Sequence, residues 1–163
     1  MKSKPLISII TVCKDSETTI EKTIKSVINQ KYQNIEYIVI DGKSKDQTLK
    51  IINKYKKKIK KLISEKDEGI YDAFNKGLKF ANGDLIGFVN SDDILLKNAL
   101  NILVKYYYNY PGKDFFFGSV KKHWKIIHGY NPWKINFMWG FYTSHSTGFF
   151  IKKKAAKKLG KYK

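Results

Sequence analysis

The clearest chemical signal in the sequence is a pair of adjacent carboxylates, Asp92 and Asp93. They close an apolar run of strand length at residues 85–89, with two small polar residues in between. Two neighbouring carboxylates in so basic a chain suit a hard divalent cation such as Mg²⁺, which prefers oxygen ligands. The alternative is a polar loop in which one Asp caps a helix beginning near Leu95, and that accounts for one carboxylate better than for two.

Acidic residues also follow two earlier strand-like segments. Asp15 comes just after the first apolar run and Asp41 ends the second. The carboxyl ends of parallel strands share one edge of a sheet, and open α/β sheets bind ligands there. The sequence contains neither the glycine fingerprint of dinucleotide-binding folds nor a P-loop. The pair Asp92 and Asp93 is therefore the one place in the sequence where a metal is predicted to hold a diphosphate.

The elements that position these acids are predicted from hydrophobic periodicity. A β-branched run, an amphipathic helix and a second apolar run form a β-α-β unit, which requires a parallel sheet and a right-handed crossover. The strands are predicted at residues 7–13, 35–40, 61–64 and 85–89, and further helices at 70–81, 95–108 and 152–159. The expected inner faces of the 70–81 and 95–108 helices are Ile70, Phe74 and Leu78, and Leu96, Leu100 and Leu103.

Composition limits the class of protein. The chain has 163 residues with 42% hydrophobic residues and a net charge of +18, and all of its basic residues are lysine. The single cysteine, Cys13, allows neither an internal disulfide nor a cysteine-based zinc site. No apolar run approaches the ~18 residues of a membrane span, so a cytoplasmic location is expected. The charge favours anionic partners such as nucleic acid, lipid headgroups or phosphorylated substrates. A bias towards A/T-rich codons, which also encode the abundant Ile, Asn and Tyr, is the better explanation for most surface lysines.

Four segments together resemble a known enzyme family. Residues 5–48 resemble the amino-terminal half of family 2 glycosyltransferases, and residues 64–77 resemble a bacterial branch that builds capsule, O-antigen and colanic-acid-like polysaccharides. Residues 90–93 are similar to the D-x-D metal motif of that family, although Asn90 stands at its first acidic position. Residues 145–150 resemble a histidine motif of the same branch.

The resemblance implies an α/β protein of GT-A fold, with a Rossmann-like, mostly parallel sheet flanked by helices and an aromatic-rich acceptor-side portion. It implies one domain over residues 1–163, truncated at its carboxyl-terminal end. Residues 1–110 would form the nucleotide-binding half and residues 111–163 the start of the acceptor side. Residues implied to contact the nucleotide sugar are Thr11, Asp15, Asp41, Asp72, Asn75 and Asp92. Asp93, assisted by Asp92, would bind Mg²⁺ or Mn²⁺.

The implied reaction is inverting transfer of a sugar from a nucleotide diphosphate donor, UDP-linked by preference, to a glycan or lipid-linked acceptor of surface polysaccharide synthesis. Peripheral contact with the anionic inner face of the membrane is expected, and nucleic acid is not an expected partner. An inverting reaction needs one general base. No acid occurs after Asp114, so the base is not identified and His145 is the remaining possibility.

Two other functions are compatible with the sequence. One is a truncated, inactive transferase-like module that still binds nucleotide. The other is a basic α/β domain that binds nucleic acid, which the net charge of +18 favours. That second alternative leaves Asp41, Asp92 and Asp93 unexplained, because acids on a binding edge repel phosphate.

Overall fold

A six-stranded sheet forms the centre of the computed structural model, which describes residues 3–122, 125–127 and 148–162. The strand order is β3-β2-β1-β4-β8-β5, and β6 and β7 pair separately. The elements in chain order are β1 (Ile7–Cys13), α1 (Ile20–Ile28), β2 (Ile35–Asp41), α2 (Thr48–Lys54), a 3₁₀ turn (Lys56–Lys58), β3 (Lys61–Ser64), α3 (Ile70–Phe80), β4 (Leu85–Phe88), α4 (Ala99–Asn109), β5 (Phe115–Phe117), β6 (Val120–Lys122), β7 (Lys125–Ile127), β8 (Phe149–Lys152) and α5 (Lys153–Leu159).

The first four strands are parallel, as the β-α-β pattern predicts. Cys13 pairs with Asp41 across β1 and β2, and Ile10 pairs with Phe88 across β1 and β4. The carboxyl ends of these strands therefore lie along one edge of the sheet. Strand β8 runs antiparallel to both β4 and β5 and completes the sheet on that side.

The core occupies both faces of the sheet, and this explains why β1 carries apolar residues on both of its faces. Every residue of β1 is buried, with Ile7 and Ile9 in the cluster that includes α1 and α4, and Ile10 and Val12 in the cluster of α3 and α5. A strand covered on both faces carries apolar residues continuously instead of alternately. Each fully buried isoleucine stabilises the fold by about 1.5–3 kcal/mol.

The predicted inner face of α3 is partly wrong. Its buried residues are Ala73, Phe74 and Gly77, whereas Ile70 is 53% exposed. The reason is the close approach of α3 to β1: a Cβ atom at Gly77 would lie 2.4 Å from Cγ2 of Ile10. Small residues turn towards the sheet, and the bulkier stripe rotates away from it.

The helix predicted at residues 95–108 begins later than expected. It starts at Ala99, after Asn98, whose φ of 68° is left-handed. Leu100 and Leu103 are buried as predicted, but Leu96 precedes the helix and is 58% exposed. Loop residues between β4 and α4 therefore replace the expected first turn of helix.

The described part of residues 111–163 joins the same sheet through β5 and β8. The division of the single domain at residue 110 stays a prediction. His145, the possible base, and the aromatic residues Trp133 and Trp139 lie outside the described residues. No helix within the described ranges is long and apolar enough to cross a membrane.

Candidate functional site

An open cleft of about 610 Å³ lies at the edge of the sheet where the parallel strands end. Its walls come from the loops after β1, β3 and β4 and from the start of α3. The cleft therefore forms where the positions of the strand-end acids predict a ligand site. The lining residues that carry polar or charged side chains are Lys14, Asp15, Ser16, Thr18, Thr19, Asp67, Asn90, Ser91 and Asp92.

The loops after β1 and β2 hold each other by reciprocal hydrogen bonds. The Asp15 carboxylate accepts a hydrogen bond from the backbone N–H of Lys45 at 2.7 Å, and the N–H of Asp15 donates to Oγ of Ser44 at 2.9 Å. Asp15 has a φ of 45°, a left-handed conformation that Asp tolerates better than most residues. These bonds fix the exposed Asp15 side chain at the mouth of the cleft.

Helix α1 fixes the acidic loop after β4. Oγ1 of Thr23 lies 2.9 Å from the carbonyl oxygen of Ser91 and 2.8 Å from that of Asp93, and Oγ of Ser91 lies 2.9 Å from Oγ of Ser16. Asp92 is exposed and lines the cleft, whereas Asp93 is half-buried and is not part of the lining. The structure therefore makes Asp92 the more accessible of the two carboxylates.

Asp41 is fully buried, below the cleft and outside its lining. Its carboxylate accepts hydrogen bonds from Oγ of Ser44 at 2.5 Å and from Oγ of Ser64 at 2.6 Å. Burial raises the pKa of the neighbouring Cys13 thiol, and the Asp41 charge raises it further, so this thiol is an inert core group. In this arrangement Asp41 holds the loop after β2 against the carboxyl end of β3.

Thr11 is also fully buried, and its hydroxyl lies 3.1 Å from that of Tyr37 in the core. Its side chain does not line the cleft. Burial raises the pKa of the Tyr37 hydroxyl, which the hydrogen bond with Thr11 only partly offsets. The predicted nucleotide contact of Thr11 would have to involve its backbone.

Asp72 and Asn75 lie on another face of α3, outside this cleft. Asp72 forms an ion pair with Nζ of Lys76 at 2.9 Å, and the hydrogen bonds from Lys76 and from the Glu68 N–H lower its pKa. The Asn75 amide binds the backbone of Tyr162 twice, donating to its carbonyl at 3.0 Å and accepting from its N–H at 2.9 Å. The structure thus separates these two residues from Asp15 and Asp92.

Asp67 is a cleft residue that the sequence reasoning missed. It lines the cleft and forms an ion pair with Nζ of Lys76 at 2.6 Å. The same ammonium group of Lys76 also contacts the Glu65 carboxylate at 3.1 Å. Burial lowers the pKa of Lys76, but hydrogen bonds with Asp67, Asp72 and Glu65 outweigh it and leave that pKa above its ordinary value. Asp67 follows the third parallel strand, so the strand-end argument that identified Asp15 could have found it.

The family model described as Glycosyl transferase family 2 matches residues 8–159. The chain belongs to this glycosyltransferase family. The match covers the strands that form the edge of the cleft and the loops that carry Asp15, Asp67 and Asp92. It confirms the resemblance read from the sequence.

Two bacterial glycosyltransferases illustrate the sequence similarity. One is the UDP-Glc:alpha-D-GlcNAc-diphosphoundecaprenol beta-1,3-glucosyltransferase WfgD of Escherichia coli, which is 39% identical over 100 residues, 61% of this chain and 40% of that protein. The other is the putative teichuronic acid biosynthesis glycosyltransferase TuaG of Bacillus subtilis, 36% identical over 100 residues, 60% of this chain and 40% of that protein. The matched region spans well under half the length of these relatives.

Solved glycosyltransferases confirm the GT-A fold. The structure of S. aureus TarS 1–349 in complex with UDP-GlcNAc aligns with a TM-score of 0.76 at 22% identity, over 94% of this chain and 47% of that chain. The mannosyltransferase PcManGT from Pyrobaculum calidifontis, in complex with GDP-Man and Mn²⁺, aligns with a TM-score of 0.77 at 18% identity, over 99% of this chain and 48% of that one. At these identities the likeness establishes the fold alone.

The donor atoms of the family 2 cleft suit a hard cation only in part. Asp15 and Asp92 offer carboxylate oxygens there. Within residues 3–122, 125–127 and 148–162, no three His, Cys, Asp or Glu side chains form a group that could hold a metal ion. Mg²⁺ and similar ions are commonly held by one or two carboxylates together with substrate phosphates, so this donor set fits a metal that arrives with a diphosphate.

Proposed function

We propose that this chain forms the donor side of an inverting glycosyltransferase that takes a sugar from a nucleotide diphosphate, UDP-linked by preference. The observation that carries the proposal is the cleft at the carboxyl edge of the parallel sheet, where Asp15 and Asp92 face the same space. TarS, whose fold the chain shares, is in complex with UDP-GlcNAc, and WfgD carries UDP-Glc in its name.

Asp92, with Asp15 beside it and Asp93 behind it, would hold Mg²⁺ or Mn²⁺ against the donor diphosphate. Such a metal, when bound, stabilises the negative charge that develops on the departing nucleoside diphosphate. Lys14, whose ammonium group is exposed at the cleft, adds a positive charge beside the same phosphates. Thr23 contributes by holding the carbonyl groups of the acidic loop, which keeps the Asp92 side chain at the edge of the cleft.

The acceptor is proposed to be a glycan or a lipid-linked sugar, because WfgD is named for a diphosphoundecaprenol acceptor and TuaG for teichuronic acid synthesis. Such an acceptor places the protein at the inner face of the membrane, where a net charge of +18 favours anionic lipid. The acceptor hydroxyl requires a base worth about 10²–10⁴-fold in rate. His145 remains the proposed base within this sequence.

Nucleotide titration calorimetry with and without Mn²⁺ tests the metal assignment. Asp92→Asn is expected to remove the Mn²⁺-dependent part of UDP affinity and to leave the fold unchanged, because Asp92 is exposed. Asp93→Asn is expected to have the same effect if its carboxylate completes the metal site. Asp114→Asn is the matched control, since Asp114 is exposed and lies beside Lys152 at the opposite edge of the sheet. Equal UDP affinity with Mn²⁺ in wild type, Asp92→Asn and Asp93→Asn would contradict the proposal.

A second assay separates transfer from simple nucleotide binding. Release of nucleoside diphosphate is measured from a donor panel with a lipid-linked acceptor, for wild type and for His145→Ala. Donor binding without turnover would favour the inactive nucleotide-binding module. A salt-dependent shift with random DNA that UDP does not alter would favour the nucleic-acid alternative.

A further inference from the structure

A second cleft, about 740 Å³ in volume, lies between α3 and α5. Its floor is apolar and consists of Leu78, Ala81, Ile86 and Ala156. Lysines form its rim: Lys79 on α3, Lys153 and Lys157 on α5, and Lys161 just beyond α5. We call this space, with its apolar floor and lysine rim, the α3–α5 cleft.

The charges of the α3–α5 cleft are strongly one-sided. Among the described residues, none of the four rim lysines forms an ion pair. Asp72 is the one carboxylate in the lining, and it is already bound to Lys76, whose ammonium group is further neutralised by Glu65 and Asp67. The rim lysines therefore present a net positive field to anything that enters.

One buried carboxylate lies close behind this rim. Glu36 accepts hydrogen bonds from the N–H of Asn82 at 2.7 Å and from Oγ of Ser8 at 2.6 Å. Burial raises the pKa of Glu36, but these hydrogen bonds and the nearby charge of Lys153 leave it lowered. Glu36 offsets part of the Lys153 charge, but Asn82 stands between this carboxylate and the cleft and offers amide hydrogen-bond groups at the surface.

The far end of the rim is held in place by a specific contact. The Asn75 amide binds the backbone N–H and carbonyl of Tyr162, and the Tyr162 ring stacks on Tyr71 with centroids 5.8 Å apart. Gly160, at a φ of 82°, ends α5 and lets the chain turn back towards α3. Lys161 lies between these two fixed points, so its backbone is positioned at the cleft.

We propose that the α3–α5 cleft binds a phosphate or diphosphate group carried on an apolar chain, as in a lipid-linked sugar. The lysine ammonium groups would bind the anionic head group of an amphiphile, and the apolar floor would contact the beginning of its hydrocarbon chain. The proposal deepens the proposed function, on which it rests for the identity of the acceptor. The cleft itself is distinct from the donor cleft, with which it shares no lining residue.

The test compares two triple variants of equal charge. Lys153→Gln, Lys157→Gln and Lys161→Gln together neutralise three of the four rim lysines, whereas Lys56→Gln, Lys57→Gln and Lys58→Gln neutralise the exposed 3₁₀ turn next to β3. Pyrophosphate affinity without metal is expected to fall about tenfold in the rim variant, since each exposed charge contributes modestly, and less than about twofold in the control. Circular dichroism and thermal melting check that both variants fold.

Vesicle sedimentation distinguishes a lipid-linked diphosphate from a free phosphate ligand. Wild type is expected to sediment with phosphatidylcholine vesicles that carry a polyprenyl diphosphate, more than with vesicles that carry equal charge as phosphatidylglycerol, and the rim variant is expected to lose this preference. Pyrophosphate binding without any vesicle preference would assign the cleft to free phosphate ligands and overturn the lipid part of the proposal. Asn75→Ala, which releases Tyr162 and with it Lys161, is expected to weaken pyrophosphate binding in the same direction.

Three results would overturn the proposal: no pyrophosphate or vesicle binding by wild type, equal losses in both triple variants, or an equal loss of pyrophosphate affinity in Lys14→Gln, which removes a positive charge at the donor cleft. The last would place the ligand in the donor cleft. UDP affinity with Mn²⁺ is measured on the same samples. If wild type does not bind UDP while its pyrophosphate affinity still depends on the rim lysines, the proposed function is contradicted. The assignment of the α3–α5 cleft as a phosphate-binding site is then still supported.

Discussion

The buried carboxylate of Asp41 has a structural role that its position in the sequence does not predict. Asp41 ends β2 at the edge where ligands bind, yet it is fully buried and bonded to Ser44 and Ser64. Ser44 belongs to the loop after β2 and Ser64 is the last residue of β3, so one carboxylate fixes the starts of the loops after β2 and after β3. Its influence on nucleotide binding would then pass through these loops.

Replacement of Asp41 by Ala is expected to destabilise the protein by about 3 kcal/mol, because two serine hydroxyls lose a charged acceptor and the buried site is left open. Urea unfolding measures the loss, with the exposed Asp114→Ala as the control. Asp41→Asn keeps the volume and is expected to cost less. If Asp41→Ala unfolds like wild type but loses UDP affinity in EDTA, the direct contact with base or ribose predicted from the family resemblance would be correct.

Helix α3 is the element that separates the two clefts, and its distance from the sheet depends on Gly77. Alanine in a helix interior is ordinarily more stable than glycine by about 1 kcal/mol. At Gly77 the added Cβ atom would lie 2.4 Å from Cγ2 of Ile10. Overpacking of this kind costs about 1–3 kcal/mol, so the sign is expected to reverse.

The prediction is that Gly77→Ala lowers the free energy of unfolding despite its better helix propensity. Gly112→Ala is the control, because no atom lies within 4 Å of an added Cβ there. Chemical denaturation of both variants measures the difference. A Gly77→Ala protein as stable as wild type would mean that α3 moves outward at little cost.

The loop between β3 and α3 is held by Lys76 and should be sensitive to acid. Lys76 and the Glu68 N–H lower the pKa of Asp72, so the unfolded state binds more protons than the folded state below the ordinary Asp value of about 3.9. The stabilisation is therefore complete above that value and is lost as pH falls through the lowered folded pKa. We expect the amide signals of residues 65–72 to shift below about pH 4, before the sheet unfolds.

Lys76→Gln tests this interpretation by NMR. It removes the partner of Asp67, Asp72 and Glu65, so the same signals should already be shifted at neutral pH and respond less to acid. Lys79→Gln serves as the control, because Lys79 lies on the same helix and forms no ion pair among the described residues. Unchanged signals in Lys76→Gln would contradict the anchoring role.

The whole molecule carries 32 lysines against 14 acidic residues. A net charge of +18 repels itself in the compact state, and salt screens that repulsion over a Debye length of about 10 Å at 0.1 M. We expect the melting temperature to rise between about 10 mM and about 150 mM sodium chloride. Thermal melts monitored by circular dichroism measure it. A fall with salt would show that ion pairs such as those of Lys76 outweigh the overall repulsion.

The sequence by itself determined the parallel sheet and the edge on which the site lies. The β-branched residues of β1 do not alternate with exposed polar residues, as they would in a strand with one solvent-exposed face. The β-α-β connection makes the first strands parallel. Parallel strands end on the same side, so acids at residues 15, 41 and 92 had to meet at one edge. Element identity was predictable because each run is long and strongly periodic.

Only the tertiary structure decided which of these acids a ligand can reach. Asp41 and Asp92 are both strand-end carboxylates, but Ser44 of the following loop and Ser64 at the end of β3 enclose Asp41. Thr23 instead binds the backbone on either side of Asp92 and leaves its side chain exposed. The tertiary structure also placed Asp72 away from the donor cleft, because the close contact of Gly77 with β1 sets the rotation of α3. The solvent exposure of a side chain depends on contacts between residues far apart in the chain, and local sequence patterns do not predict those contacts.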